Sequence, residues 1–68
     1  MNKDYKEMIN DLTKDVEVIN AKIKELDTVT DKVDLPEDEM ELIDRQEKVM
    51  KDYADVMMER IEYYEARN

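Results

Sequence analysis

The stretch Pro36–Arg67, PEDEMELIDRQEKVMKDYADVMMERIEYYEAR, decides the fold of this chain. Ile43, Met50, Met57 and Tyr64 recur at seven-residue intervals, and Leu42, Val49, Val56 and Tyr63 recur beside them. Tyr53, Ala54 and Ile61 widen the apolar face on its other flank. Recurrence at seven residues is the mark of a helix that packs along its whole length. Unbroken, such a helix is about 45 Å long, at ~1.5 Å of rise per residue. A single coiled-coil seam needs two apolar positions in each heptad. Here three or four of the seven are apolar, the width of a helix that faces more than one neighbour. The opposite face carries Glu41–Arg45, Asp44–Lys48 and Glu47–Lys51 at i,i+4 with the acid first, an order that supports a helix by about 0.2–0.5 kcal/mol per pair.

Upstream, residues 3–27 hold a second periodic segment. Tyr5, Ile9, Leu12, Val16, Ile19, Ile23 and Leu26 alternate steps of four and three. Ile9, Val16 and Ile23 take one core position of the heptad and Tyr5, Leu12, Ile19 and Leu26 the other, a sound packing seam. This stripe is narrow, and Asn2 or Asp4 is placed to cap it. Between the segments, Thr28–Leu35 (TVTDKVDL) is rich in poor helix formers. The residue before Pro36 is pushed towards extended geometry, and Pro36 suits the start of a helix. Leu35 is placed to fold back on Met40 as a hydrophobic staple with Pro36 as the cap. The acids Glu37, Asp38 and Glu39 then favour the helix N-terminus. The connection is expected to be about eight residues. With no glycine in the chain, it is a rounded loop, or else the first helix runs a turn beyond Asp27.

The expected fold is therefore all-α: one domain over residues 1–68, an antiparallel hairpin of helices at about 3–27 and 36–66. Its broad second helix is expected to pair it into a four-helix bundle or coiled-coil homo-oligomer, a dimer being favoured. Chains this short rarely stabilise a core alone by more than ~3–5 kcal/mol. With neither cysteine nor histidine, disulfides and the commonest metal ligand are missing, and self-association is the reinforcement left. The oligomer interface is read as Leu42, Ile43, Val49, Met50, Tyr53, Val56, Met57, Ile61 and Tyr64. Twenty acids against 11 bases give a net charge of −9, which repels nucleic acid and anionic membrane surfaces. No apolar run reaches the ~20 residues that span a bilayer, and the first residues lack a signal-peptide core. The expected compartment is the cytoplasm, that of an infected host cell if the chain is phage-encoded.

The run from Leu35 to Ile61 resembles a family of small phage and prophage accessory proteins built as helical hairpins. Leu42-Ile43, Gln46, Val49-Met50, Tyr53, Met57 and Arg60-Ile61 carry the resemblance. It implies a hairpin fold and a phage origin, and it brings no activity with it.

Candidate sites are few. The acids Asp31, Asp34, Glu37, Asp38, Glu39 and Glu41 lack the glycine of a calcium loop, and read better as dipole compensation than as a metal site. Glu41 with Asp44, and Glu59 with Glu62, have the i,i+3 spacing of Mg²⁺-binding helices, but Glu59 and Glu62 lie off the apolar stripe. No metal and no cofactor is expected. Met40, Met50, Met57 and Met58 form a methionine-rich side that reads as core or seam. Gln46 and Arg60 are polar residues among apolar neighbours, for register control or for a side chain laid along the seam with its head in water. Tyr63, with Arg60 and Arg67, is the candidate partner-binding patch, since Tyr and Arg anchor interfaces. The plainer role for the paired tyrosines is to close the open end of the hairpin against Tyr5.

Nothing here supplies a nucleophile or a phosphate cradle, so an enzyme is not expected. The leading expectation is a non-enzymatic protein–protein interaction module, a phage-type accessory protein that binds a host or phage protein. A first alternative is an acidic mimic of nucleic acid that inhibits a host defence or DNA-binding enzyme. A second is an oligomeric sponge for nucleotides, which requires clustered arginines such as Arg60 and Arg67.

Overall fold

The computed structural model describes residues 4–67. Two helices, α1 (Tyr5–Lys32) and α2 (Glu37–Glu65), lie antiparallel in a hairpin with extents of 50 × 19 × 15 Å. Asp4 caps α1: its backbone is extended (φ −66°, ψ 132°) and its carboxylate accepts from the Lys6 N–H at 3.1 Å. Asn2, the other candidate cap, lies outside the described residues, as does the expected start of the helix at residue 3.

The first helix runs further than residue 27, ending at Lys32. The threonines that read as helix breakers are accommodated by turning their hydroxyls onto the backbone. Thr28 Oγ1 donates to the Lys24 carbonyl at 3.0 Å and Thr30 Oγ1 to the Asp27 carbonyl at 3.0 Å. A hydroxyl satisfied one turn back no longer competes for the backbone elsewhere. Val33 ends the helix, its N–H still donating to the Val29 carbonyl while its own backbone turns extended (φ −118°). The connection then shrinks to Val33–Pro36, with no positive φ among the described residues. Pro36 is the N-cap of α2, as the staple reading requires, and Leu35 and Met40 on either side of it are both half-buried.

The core is a single seam. From α1 it takes the stripe read from the sequence, with Leu12 and Ile23 buried and Ile9, Val16, Ile19 and Leu26 half-buried. From α2 it takes Ile43, Met50, Met57 and Tyr64 on one heptad position and Met40, Glu47, Ala54 and Ile61 on the other. Ala54 is small enough to let the helices close, and Met57 beside it is the most enclosed side chain, only 2% exposed. Glu47 is a correction. The sequence reading put it on the charged face, but it takes a seam position and is 9% exposed. The reason is the heptad phase: Met40, Ala54 and Ile61 are a third apolar row, and Glu47 is its one acidic member. The ion pairs shift with it. Lys51 reaches Glu47 at 3.8 Å, whereas Lys48 turns forward to Asp52 at 3.0 Å instead of back to Asp44.

Met57→Ala is expected to cost about 2–5 kcal/mol, the usual range for a buried methionine. In a domain of this size that lowers Tm by at least ~10 °C. A circular-dichroism melt that moves by less than a few degrees would show that the seam is not what holds the helices together.

Candidate functional site

Two features of α2 point away from the seam. The first is the row Leu42, Val49, Val56 and Tyr63, which lies one residue out of phase with the packed row. These side chains are 61%, 66%, 53% and 51% exposed. A helix wide enough for two neighbours has only one in this hairpin, so one apolar row is left in water. Tyr53 is exposed on the flank of this row, and Met58 is exposed as well. A shallow groove lined by Leu42, Arg45, Gln46, Val49 and Met50 opens on the row's N-terminal half.

The second feature is the open end of the hairpin, where the start of α1 meets the end of α2. Tyr5 stacks on Tyr64 with ring centroids 5.3 Å apart and planes 18° from parallel, and Tyr63 meets Tyr64 edge-on at 5.7 Å. Two guanidinium groups cover these rings. Arg67 sits 3.4 Å from the centroid of Tyr63, and Arg60 lies 5.6 Å from that of Tyr64. Arg60 also donates to the Tyr64 hydroxyl at 3.0 Å, and Arg67 Nη1 donates to the Tyr63 carbonyl at 3.1 Å. The last turn of α2 has no base of its own. Arg67 therefore supplies the positive charge that a helix C-terminus favours. The result is a compact plate of aromatic faces and cations on an otherwise acidic chain.

Inside the seam, Glu47 stands near the closed end. Burial raises its carboxyl above the ordinary 4.5. Asp27 on α1 raises it further, by a hydrogen bond and by its charge, and Asp44 adds to this while Lys51 pulls the other way. Sequence reasoning missed this carboxyl. The available signal was the row Met40, Ala54, Ile61, which predicts a buried residue at 47.

The expected interface residues thus divide. Ile43, Met50, Met57, Ile61 and Tyr64 are turned inward and shared with α1, while Leu42, Val49, Tyr53 and Val56 stay exposed. Arg60, Tyr63 and Arg67 are brought together at the open end. Tyr64 closes on Tyr5, the plainer role expected of it. Gln46 and Arg60 are exposed, so neither is a buried polar residue of the seam. The methionines split as well, with Met57 buried, Met40 and Met50 half-buried and Met58 exposed. Among the described residues no three acidic, cysteine or histidine side chains gather closely enough to hold a metal ion, and no helix is long and apolar enough to cross a membrane.

A protein-family model described as Sequestin matches residues 3–63, nearly the whole chain. No curated protein and no solved structure matches it.

The Glu47 geometry fixes a pH dependence. The folded hairpin binds the Glu47 proton more tightly than the unfolded chain does, so this group's contribution to stability falls as pH rises from 4.5 through the raised folded value. Glu47→Gln keeps the shape and removes the charge. The variant is expected to melt higher than the parent at pH 7, with the difference vanishing below pH 4.5. Parallel Tm–pH curves for the two proteins would contradict the buried-acid account.

Proposed function

The chain belongs to the Sequestin family, and from that membership we propose that it is a non-enzymatic sequestering protein that acts by stoichiometric binding. Copies of the hairpin associate through the exposed row of α2, and the assembly holds its target rather than transforming it. The exposure of Leu42, Val49, Val56 and Tyr63 on one line of one helix is the observation that carries the assembly half of this reading. Single exposed apolar residues are ordinary, but a continuous line of them marks an interaction surface. The resemblance to small phage proteins supports a role as an accessory protein in the cytoplasm of an infected host.

The Tyr–Arg end, where Tyr63 closes the row beside Arg60 and Arg67, is the surface proposed for a target, which then sits at the edge of the contact between copies. Its chemistry suits a small nucleotide: aromatic faces stack on bases, and guanidinium groups pair with phosphates in a fixed fork. A second reading is a host or phage protein held at the same end, favoured because Tyr and Arg are also the commonest anchors of protein interfaces. Mimicry of nucleic acid fits less well, since Lys48 and Lys51 interrupt the acids of α2 by pairing with Asp52 and Glu47.

Thermal denaturation against a panel of mono-, di- and cyclic nucleotides separates the two targets. A ligand at ~100 times its Kd stabilises by about 2.7 kcal/mol, a Tm increase on the order of 10 °C for a domain of this size. Arg60→Ala and Arg67→Ala are each expected to remove most of that increase. No stabilisation by any nucleotide would rule out the first target and leave the protein partner.

A further inference from the structure

Building on the self-association above, we propose that two copies pair through the exposed α2 row in antiparallel orientation, with Val49 of one copy against Val56 of the other. The sides of the row decide the orientation. On one side lie Arg45, Asp52 and Glu59; on the other lie Glu39, Gln46, Tyr53, Arg60 and Arg67. All of them are exposed. A two-fold axis midway between Val49 and Val56, perpendicular to the helices, brings each side of the row against the same side of the second copy.

Under that axis Arg45 stands level with Glu59 of the second copy, Arg67 with Glu39 of the second copy, and Tyr53 with Tyr53 of the second copy. Each ion pair is made twice. Leu42 stands level with Tyr63 of the second copy, so the groove lined by Leu42, Arg45, Gln46, Val49 and Met50 receives a tyrosine ring. The one like-charge approach is Asp52 to its own copy, and each Asp52 is already held by Lys48 at 3.0 Å. Pairing in the parallel sense gains Glu59 beside Arg60 of the second copy. It sets Asp38 beside Glu39 of the second copy, however, and stacks both acidic N-termini, Glu37 to Glu41, side by side. It also sets the two α2 dipoles side by side in the same sense, which antiparallel packing avoids. Charge pairs at the rim add little affinity but choose between orientations. The row is complementary to its own reverse, and that self-complementarity identifies a second copy as its occupant.

Cysteine cross-linking tests the orientation, because the chain has no cysteine of its own. Val49→Cys and Val56→Cys are prepared as separate variants; both positions are exposed, and circular dichroism checks that each remains helical. Under antiparallel pairing, residue 49 lies about 10 Å along the axis from its own copy, seven residues at ~1.5 Å each, beyond the reach of a disulfide. Mild oxidation is therefore expected to give covalent dimers in an equimolar mixture and none in either variant alone. Dimers within each separate variant, with no gain on mixing, would overturn the orientation while leaving self-association in place. Sedimentation of the unsubstituted protein distinguishes the deeper failures. An oligomer that gives no cross-link in any sample overturns the role of this row, and a monomer at micromolar concentration overturns self-association itself.

Discussion

Every other feature of this protein follows from how thin its seam is. Two helices in contact bury one narrow face each, and among the described residues only Leu12, Ile23, Ala54 and Met57 are buried apolar residues. Among the described residues no third element covers the remaining faces. A two-helix hairpin without disulfide or metal has little margin, and even that line is interrupted by the carboxyl of Glu47. Meanwhile α2 carries another apolar row that its own chain leaves uncovered. The poor core and the surplus surface belong together: the residues that would complete the interior are present, but they face outward.

The two helices differ in how far they could be read beforehand. The α1 stripe was legible residue by residue, because a narrow stripe has one possible phase. In α2 three adjacent rows compete, and hydrophobicity alone does not say which two face α1. Ile43, Met50, Met57 and Tyr64 belong to any solution. The second row is decided by fit, and the row containing Ala54 wins because its short side chain lets the backbones approach while Met57 fills the space beside it. Sequence periodicity does not register that fit, and so it reads Glu47 as part of the charged face. The length of α1 was hidden for a different reason. Thr28 and Thr30 have poor intrinsic propensity, but propensity is a weak prior, and both are accommodated in the helix with their hydroxyls bonded back to Lys24 and Asp27.

The open end was legible in outline. Antiparallel topology alone puts Tyr5 beside Tyr64, and the stacking follows. What spacing did not give is the way Arg60 and Arg67 fold over Tyr64 and Tyr63, since this depends on rotamers at the last turn of a helix that lacks a base of its own. The same arrangement lays two guanidinium groups on neighbouring tyrosine rings at the tip of an acidic chain.

The short join between the helices has a mechanical consequence. Val33 to Pro36 connects the rods without glycine and without any left-handed residue among the described ones, so it is a short fulcrum. Two rods pinned at one end separate like tongs, with an amplitude that grows towards the tips. The tips are where Tyr5 and Tyr64 touch, roughly 40 Å from the fulcrum at ~1.5 Å per residue. Whatever bridges those rings acts at the longest lever arm available, and a weak clasp there restrains the whole pair.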